Sequence, residues 1–572
     1  MIRQQIADLI QKSIIKAQQE KRLPKFRIPE ILVEVPEIEI YGDYATNIAM
    51  QIAKIVKVNP VEIAEIISSK FKVHPVKSPL KRGARSKNEQ FNRVKSSKLF
   101  KKVEIIKPGF INFFLSESYL QKQVKEILKQ GKNFGKVCFT KRSAKTGCRK
   151  AAFNKVNIEF ISANPTGPLH IGHGRIAFFG DCLANVLENA GYKVIREYYI
   201  NNAKNSAQIQ ELGKTAIGKG KTYLNVYLKS RILNLKSQLE KLSNESEAGY
   251  LLAQEVQKDI KNFVEKELKI KFDNWISEQD FYKKGEVDKI YNWLKKKNLI
   301  YKKEGAEWLK TSKFGDKKDW VIIRKDGHPT YLLSDIAYHK YKFDREFDKV
   351  INIWGADHQG HALKIKAVGK ILKFKGKLDI LISQIVRLKG AKISKRKGET
   401  ITLKWLVDEV GLDAARFFYL MKSLDTQMEF DIELAKEKSE KSPVYYVQYA
   451  YARIHSILKK SKIQNYKSQI NPKSKIQNPK FQLLNHPSEL QLIKQLIKFP
   501  EILEDTAKDY RIQRIPQYAI NLATSFHQFY RDCKVLTEDK KLRNARLGLI
   551  LAVEVVLKNS LELMGISAPE KM

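Results

Sequence analysis

Apolar residues recur at helical and strand spacings along most of the chain and divide it into three regions. In the first region, helical spacing at Ile2 to Ala17 and at Ala49 to Val56 alternates with strand-like runs such as VEIIKPGFINFFLS. This mixture predicts a small α/β domain. After Asp413, apolar residues recur three and four apart almost to the end, which predicts an all-α region.

The middle region begins with a strand, a helix and a second strand. VNIEFI is a strand candidate, the loop ANPTGP follows it, GRIAFFGDCLANVLENA is a helix that ends before Gly191, and KVIREYYI is the next strand. This order is a βαβ unit and predicts a parallel sheet, with further strands at KVINIWG and LDILISQIV. Residues 206–310 are charged and helical in pattern, so we predict an insertion between two halves of the sheet.

Three basic, polar stretches interrupt these patterns, at about 75–98, 138–152 and 461–480, and the last contains SKIQN twice. Their composition predicts surface loops and linkers rather than packed structure. The organisation that results is an N-terminal domain at 1–125, a linker at 126–154, a parallel-sheet domain at 155–405, a connecting region at 406–442 and an all-α domain at 443–572.

Composition narrows the class of protein. The 572 residues predict several domains, and 106 Lys and Arg against 62 Asp and Glu leave a formal charge of +44, which favours a polyanionic partner. A lysine-rich surface without functional meaning is the alternative. The four cysteines form no CxxC pair, so we expect neither a disulfide framework nor a structural zinc. Neither a secretory signal nor a membrane-spanning apolar run is evident, and we expect a cytoplasmic protein.

The motif PLHIGHGR begins at Pro168, where the loop after the first strand leads into the helix. A helix N-terminus offers unpaired backbone N–H groups and partial positive charge, which suit a phosphate. His170 and His173 are three residues apart, so both can reach one anion. Between them, Gly172 would let an adenine ring approach the backbone. Two histidines at this spacing are also common as a surface pair, so the motif alone does not decide the function.

A second candidate phosphate site is the loop LKGAKISKRKGE, in which Ser394 and several lysines follow a predicted parallel strand. The lysines are Lys389, Lys392, Lys395 and Lys397. Flexible ammonium groups can follow a departing pyrophosphate. Taken alone, the loop is better explained as a solvated basic loop.

Together, the two motifs resemble the HIGH and KMSKS signatures of class I aminoacyl-tRNA synthetases, the second written KISKR here. NIEFISANPTGPLHIGH, DGHPTYLLSDIAYH, INIWGADHQGH, DEVGLDAARFF, SPVYYVQYAYARI and GISAPEKM are similar to arginyl-tRNA synthetases in particular. YGDYATNIAMQIAK and KPGFINFFLS resemble that family's additional N-terminal domain. The resemblance implies an α/β multidomain enzyme: a Rossmann-like parallel-sheet catalytic domain, a small N-terminal α/β domain that binds tRNA, and an all-α anticodon-binding C-terminal domain.

The resemblance also implies a reaction and its participants. ATP with Mg²⁺ would activate L-arginine, which would then be joined to the 3′-terminal ribose of tRNA(Arg). The residues implied for catalysis are His170, His173, Lys392 and Lys395. Those implied for ATP binding are Gly172, Gly355, Asp357, His358 and Ser394. Those implied for arginine binding are Glu159, Ser162, Asn164, Tyr331, Asp335 and Gln359.

The chemistry of arginine agrees with part of this assignment. A guanidinium has five N–H donors and no acceptor, so its pocket needs carboxylates at fixed angles. Glu159 and Asp335 lie beside predicted strand and helix ends, and Tyr331 would share the helical face of Asp335. As alternatives, the carboxylates could be surface groups or helix caps, and Tyr331 could belong to the core.

The C-terminal helices interleave aromatic and basic residues, as in VYYVQYAYAR. Unstacked RNA bases pack on aromatic rings and guanidinium planes, so Tyr445, Tyr449 and Arg453 are candidate tRNA-binding residues. Helical spacing requires some of the tyrosines to face the core. The resemblance implies that residues 406–442 contact the tRNA stem, and we expect a monomer.

One stretch departs from the family pattern, which is usually VNDxGxQ-like where this chain has INNAKNSAQ. Asn202 replaces a carboxylate, and Lys204 replaces a glycine and must adopt its backbone angle unless the loop has moved. Two alternatives remain open. A synthetase for another amino acid, such as cysteine, would need zinc-binding cysteines, and the catalytic domain has only Cys182. A non-catalytic tRNA-binding paralogue would show decayed His and Lys motifs, whereas both are intact.

Overall fold

The computed structural model describes residues 1–69, 71, 99–136, 154–242, 244–389, 401–461 and 479–572. Most of the three basic stretches lies outside these ranges, as do Lys392, Ser394 and Lys395. The described residues form a central parallel sheet with helices, a smaller antiparallel sheet at the N-terminal end and long helices at the C-terminal end.

A three-stranded antiparallel sheet with helices forms the N-terminal region. Its elements are α1 (Ile2–Gln19), β1 (Tyr44–Thr46), α2 (Ile48–Val56), α3 (Pro60–Ser68), β2 (Phe100–Ile106), β3 (Phe110–Leu115) and α4 (Glu117–Gln130). The strands lie in the order β1-β3-β2. Ile2, Ile6, Ile10 and Ile14 of α1 are buried because residues four apart share a helical face. α4 runs past residue 125, where the sequence predicts a domain boundary.

A five-stranded parallel sheet, in the order β11-β10-β4-β5-β6, forms the centre of the chain. The elements of this region are β4 (Lys155–Glu159), α5 (Ile171–Asn189), β5 (Lys193–Ile200), α6 (Ala207–Ala216), α7 (Val226–Asn234), α8 (Lys236–Leu239), α9 (Glu245–Asn262), β6 (Asn274–Ser277), α10 (Glu278–Lys283), α11 (Glu286–Lys296), β7 (Ile300–Lys303), β8 (Ala306–Leu309), β9 (Trp320–Ile323), α12 (Tyr331–Asp344), β10 (Lys349–Gly355), α13 (Gln359–Ile371), β11 (Lys377–Ser383) and β12 (Val386–Leu388). The inner strands β4 and β10 are buried along most of their length, as in sheets covered on both faces.

The stretch at 206–310, which the sequence pattern suggests is an insertion, contributes a strand to this sheet. β6 pairs in parallel with β5, with Trp275 opposite Tyr198, and forms the sheet's edge. Helices α6 to α9 connect the two strands. The pattern does not reveal β6 because the strand has four residues and all are only partly buried. β7, β8 and β9 form a separate antiparallel sheet before α12.

Helices dominate the rest of the described chain. Its elements are α14 (Leu403–Val410), α15 (Leu412–Leu420), β13 (Met428–Phe430), α16 (Ile432–Lys436), α17 (Pro443–Lys460), α18 (Pro487–Asp509), α19 (Arg514–Asp532) and α20 (Lys540–Leu563). Every residue of α20 from Leu547 to Glu554 is buried, so this helix is surrounded by other elements. Among the helices that the structure describes, none is long and apolar enough to span a membrane.

A buried arginine joins the sheet region to the C-terminal helices. Arg416 of α15 is 1% exposed, and its Nη1 donates to Asp181 Oδ2 of α5 at 2.7 Å and to the Met564 carbonyl at 3.1 Å. Its Nη2 donates to the Leu268 carbonyl at 2.7 Å. Gly565 leaves room for this guanidinium, since a Cβ there would lie 2.2 Å from Nη1. Three distant segments therefore depend on one side chain.

We expect Arg416→Met to lower the free energy of unfolding by about 3–5 kcal/mol, because Asp181 would stay buried without its partner. The double variant Arg416→Met/Asp181→Leu removes both charges and should recover most of the loss. Urea denaturation followed by circular dichroism measures both values. A double variant no more stable than the single one would contradict the ion pair as the cause.

Candidate active site

A cavity of about 2330 Å³ opens at the carboxyl ends of the parallel strands. Open parallel sheets bind ligands at this edge, where the direction of strand order changes. Here β4 lies between β10 and β5, so the loops after all three strands meet at the cavity. Most residues predicted for ATP and arginine line it: Glu159, Ser162, Asn164, His170, Gly172, His173, Tyr331, Asp335, Gly355, Asp357 and His358.

The turn after β4 places two successive residues in the left-handed region, Ile161 at φ 68° and Ser162 at φ 41°. A β-branched residue is strained there, so its surroundings must hold the turn. The Ser162 hydroxyl accepts a hydrogen bond from the Tyr199 backbone N–H at 3.1 Å. The Ala163 backbone N–H donates to the Tyr198 hydroxyl at 3.1 Å. The neighbouring strand β5 therefore fixes the cavity-lining turn.

Helix α5 begins within the predicted histidine motif. His170 is the N-cap, and its Nδ1 accepts a hydrogen bond from the Gly172 backbone N–H at 3.1 Å. His173 Nδ1 accepts from the His170 backbone N–H, also at 3.1 Å. The centres of the two rings are 3.8 Å apart. Both histidines therefore cap the helix and stand side by side on the cavity wall.

The same hydrogen bonds determine where the histidines carry their protons. Burial lowers the pKa of His170, against an opposing effect of Asp357, and burial with the help of His170 lowers the pKa of His173 to about 3. Both rings are therefore neutral at physiological pH. Because each Nδ1 accepts a backbone N–H, each ring's single proton is on Nε2. Each histidine thus offers one Nε2–H donor without a positive charge.

Gly172 has a steric role between the histidines. A Cβ at this position would lie 2.8 Å from Cε1 of the His170 ring. Any side chain would therefore displace the ring that caps the helix. The absence of a side chain preserves the histidine geometry, in addition to the adenine contact that the sequence predicts.

The residues that follow the lysine loop pair with the histidine turn. The Ile171 backbone N–H donates to the Ile401 carbonyl at 3.1 Å, and the Leu403 backbone N–H donates to the Leu169 carbonyl at 2.7 Å. Lys392, Ser394 and Lys395 themselves lie outside the described residues, so their role remains a prediction. The described end of their segment is attached to the start of α5.

Asp335 and Tyr331 lie one turn apart on α12 and both face the cavity. His361 Nε2 is 2.8 Å from Asp335 Oδ2. Tyr331 is 59% exposed, and its ring centre is 5.4 Å from that of His361. Lys364 Nζ donates to the Tyr331 hydroxyl at 3.4 Å and lies 3.4 Å from the ring centre of Trp320. Tyr331 therefore lines the cavity rather than the core.

A further carboxylate in the cavity, Glu278, is absent from the sequence prediction. It is the first residue of α10, directly after β6, and is 6% exposed. It accepts hydrogen bonds from the Ser334 hydroxyl at 2.6 Å and the Ala203 backbone N–H at 3.3 Å. Burial raises the pKa of Glu278 to about 7, and Asp335 adds to the rise. The sequence feature that could have indicated Glu278 is NWISEQD, in which two apolar residues of a short strand are followed closely by an acidic residue.

The two departures from the family pattern have local partners. The Asn202 Oδ1 atom accepts hydrogen bonds from the Ser277 hydroxyl at 2.9 Å and the Gln279 backbone N–H at 3.1 Å. Asn202 therefore ties the loop after β5 to the end of β6. Lys204 is not among the residues with positive φ, and its ammonium group pairs with Glu247 at 2.5 Å. The lysine needs no glycine-like backbone angle here.

Gln359 differs from the other predicted arginine contacts. It is the first residue of α13, it is exposed, and it is not among the residues that line the cavity. The structure thus brings five of the six predicted arginine contacts to one cavity, whereas the contact of Gln359 with arginine remains a prediction.

The predicted tRNA-binding residues form an aromatic row on α17. The Tyr445 and Tyr449 rings are nearly parallel, at 8°, with centres 6.2 Å apart. The Arg453 guanidinium lies 5.6 Å from the Tyr449 ring centre and 5.2 Å from that of Tyr530 on α19. Tyr449 and Tyr530 are each 37% exposed, whereas Tyr451 is buried. The tyrosines of α17 therefore divide between surface and core.

A Rossmann-like sheet with a paired-histidine cap on its first crossover helix is the arrangement expected of a class I aminoacyl-tRNA synthetase, and the comparisons show that class. Residues 138–209 and 221–466 match the family model described as tRNA synthetases class I (R), catalytic domain. Residues 4–81 match the Arginyl tRNA synthetase N terminal domain, and residues 447–572 match the DALR anticodon binding domain.

Full-length relatives define the family more narrowly. The arginine–tRNA ligase of Caldanaerobacter subterraneus is 38% identical over 600 residues, which cover 100% of this chain and 99% of the relative. That of Bacillus subtilis is 38% identical over 603 residues, with 100% of both chains covered. The solved Thermus thermophilus arginyl-tRNA synthetase covers 100% of both chains with a TM-score of 0.73 at 20% identity, which supports the fold. The chain belongs to the arginyl-tRNA synthetase family.

Family membership confirms the predicted family and the predicted fold class. It favours the arginine–tRNA ligase prediction over a synthetase for another amino acid and over a non-catalytic paralogue, because the full-length relatives carry the name of the ligase.

The low pKa of His173 predicts an acid-sensitive contribution to stability. The pKa of His173 falls from 6.5 to about 3 on folding, so the unfolded chain takes up the proton first and stability is lost as the pH drops below 6.5. His173→Asn keeps an acceptor for the His170 N–H but cannot titrate. Between pH 7.5 and pH 5, we expect wild type to lose about 1–2 kcal/mol more than this variant.

Urea denaturation at both pH values measures this difference. His328→Asn, at an exposed position, is the matched control and should follow wild type. Equal losses in wild type and His173→Asn would contradict a neutral His173 in the folded protein.

Proposed function

We propose that this chain is an arginine–tRNA ligase, which activates L-arginine with ATP and transfers it to the 3′-terminal ribose of tRNA(Arg). The observation that carries the proposal is the pair of neutral histidines at the start of α5, on the wall of a cavity that also contains buried carboxylates. In the first step, an arginine carboxylate oxygen attacks the α-phosphate in line. Arginyl-adenylate forms, and pyrophosphate leaves.

The histidines and the lysine loop share the phosphate chemistry. His170 and His173 donate Nε2–H to phosphate oxygens as negative charge moves toward the leaving group. Their backbone hydrogen bonds orient the rings beforehand, so little reorganisation is needed during the reaction. Lys392 and Lys395, with Ser394 between them, hold the departing pyrophosphate. The attachment of residues 401 and 403 to the histidine turn supports this arrangement.

The adenosine part of ATP occupies the other side of the histidine turn. Gly172 leaves space for the adenine, and Gly355, Asp357 and His358 contact the ribose at the end of β10. Among the described residues, no group of three or more His, Cys, Asp or Glu side chains could hold a metal ion. Mg²⁺ would be held by the ATP phosphates and would neutralise part of their charge when bound.

Arginine is recognised through its guanidinium. Glu159 and Asp335 accept its N–H groups, and Tyr331 bounds the pocket, which suits a ligand with donors and no acceptor. Glu278 adds a carboxylate whose pKa of about 7 lets it accept or donate a hydrogen bond. The remaining contacts, to the α-amino group and nearby polar atoms, are Ser162, Asn164 and Gln359.

In the second step, the 2′-OH of the terminal ribose attacks the adenylate, and AMP leaves. We place the anticodon on the aromatic row of Tyr445, Tyr449 and Arg453, the tRNA stem on residues 406–442 and a further tRNA contact on residues 1–125. The formal charge of +44 favours a polyanion of this size. We further propose that the enzyme acts as a monomer in the cytoplasm.

Aminoacylation of total tRNA tests the proposed function directly. With Mg·ATP and each of the twenty amino acids in turn, we expect the purified protein to charge arginine alone. Lysine lacks the guanidinium fork, so its kcat/KM should be lower by roughly 10⁴-fold. Efficient charging with lysine would overturn the pocket assignment, and no charging at all would overturn the ligase.

A histidine variant tests the phosphate role. His170→Asn keeps a side-chain acceptor at the N-cap but removes Nε2–H, so kcat for arginylation should fall by roughly 10²–10³-fold. ATP–pyrophosphate exchange in the presence of tRNA follows the activation step, and filter binding shows whether tRNA affinity is kept. An unchanged exchange rate would show that His170 does not contact the reacting phosphates.

A further inference from the structure

The proposed arginine ligand Glu159 is held by a lysine that does not reach the cavity. Lys342 of α12 is fully buried and is not among the cavity-lining residues, whereas Glu159 is 3% exposed and lines the cavity. The Lys342 ammonium group donates to Glu159 Oε2 and, at 2.9 Å, to Asn352 Oδ1 of β10. Its Nζ also lies 4.2 Å from the ring centre of Tyr338. Lys342 therefore binds the Glu159 carboxylate from the protein interior, on the side away from the cavity.

The hydrogen bonds continue from Lys342 to the other proposed arginine ligand. Asn352 Nδ2 lies 2.9 Å from His339 Nε2, and His339 Nδ1 lies 2.8 Å from the Asp335 carbonyl. Burial lowers the pKa of His339 to about 3, so its ring is neutral and carries one proton. Lysine only donates, so Asn352 must present Oδ1 to it and Nδ2 to His339. His339 Nδ1–H then donates to the Asp335 carbonyl.

Each hydrogen bond in this series is therefore donated in the same direction, from the Lys342 ammonium group through Asn352 and His339 to the backbone carbonyl of Asp335. Aligned hydrogen bonds polarise one another in a low-dielectric interior, so these hydrogen-bonded side chains form a rigid unit. It joins the end of β4, the middle of β10 and α12 from Asp335 to Lys342 in its last turn. The carboxylate of Glu159 and the backbone carbonyl of Asp335 are therefore held from one buried ammonium group.

The charges of this unit match the proposed ligand. Lys342 and Glu159 cancel each other, which leaves Asp335 to balance a single guanidinium. A carboxylate that is buried without a partner is costly. The lysine supplies the countercharge of Glu159 from outside the cavity lining.

We propose that Lys342 is a positioning residue for arginine, which holds the Glu159 carboxylate in place and aligns it with Asp335 through Asn352 and His339. This inference rests on the proposed function of the cavity. Lys342 touches neither ATP nor arginine, so its main effect passes through Glu159, which accepts its hydrogen bond directly. That dependence on Glu159 separates a positioning role from a general contribution to stability.

A double-mutant cycle measures this dependence. With ATP and tRNA saturating, we expect Lys342→Met to raise KM for arginine by about tenfold to a hundredfold and to leave KM for ATP nearly unchanged. In a Glu159→Gln background, the same substitution should change KM for arginine by less than about twofold. An equal rise in both backgrounds would overturn the proposal.

Lys340→Met is the matched control, because Lys340 lies on the same helix but forms a surface pair with Asp344. It should leave both KM values unchanged. Thermal melting separates folding from function, and Lys342→Met/Glu159→Gln should melt closer to wild type than Lys342→Met does. If Lys342→Met does not fold, Asn352→Leu takes its place, keeps both charges and should raise KM for arginine while KM for ATP stays nearly unchanged; an unchanged KM for arginine would overturn the proposal.

The two proposals fail in different ways. A wild-type protein that charges no arginine would refute the proposed function, whatever the variants do. A wild-type protein that charges arginine, with additive effects of Lys342→Met and Glu159→Gln, would refute the positioning role alone.

Discussion

The candidate active site depends on the left-handed turn after β4, because hydrogen bonds between this turn and β5 maintain two backbone angles that an isolated chain would avoid. The turn leads the chain away from the sheet's centre, so α5 can start at the cavity. The start of α5 then orients both histidines through backbone N–H groups and anchors residues 401 and 403. A change at Ser162 would therefore act on several contacts at once.

The excess positive charge of the chain and the charges of its interior have different roles. The formal charge of +44 reflects an excess of lysines and arginines that suits a polyanionic partner, whereas two fully buried cations of the interior are paired with carboxylates. The pairs are Lys342 with Glu159 and Arg416 with Asp181. The two histidines at the start of α5 are neutral, so in the proposed phosphate role their donors avoid the cost of burying a cation.

The sequence predicted what is encoded locally. A strand, a glycine-containing turn and a helix within about thirty residues specify the βαβ unit, so the Rossmann-like sheet and the placement of His170 and His173 could be predicted. The position of Glu278 could not be predicted in this way, because the residue follows the short edge strand β6, whose pairing with the distant strand β5 brings it to the cavity. The burial of Lys342 is still harder to predict, since a lysine in a helix is normally expected to face solvent. Asn202 and Lys204 depart from the family pattern, but their compensating partners lie on other elements.

The guanidinium of Arg416 has a consequence for the order in which the chain folds during synthesis. Its partner Asp181 leaves the ribosome 235 residues earlier, and the Met564 carbonyl follows 148 residues later. At about 5–20 residues per second, Asp181 waits roughly 10–50 s for its countercharge. During that interval α5 carries a carboxylate on a face that is later buried. The nascent sheet can therefore form early, but its contact with the helical half must close last, when translation is almost complete.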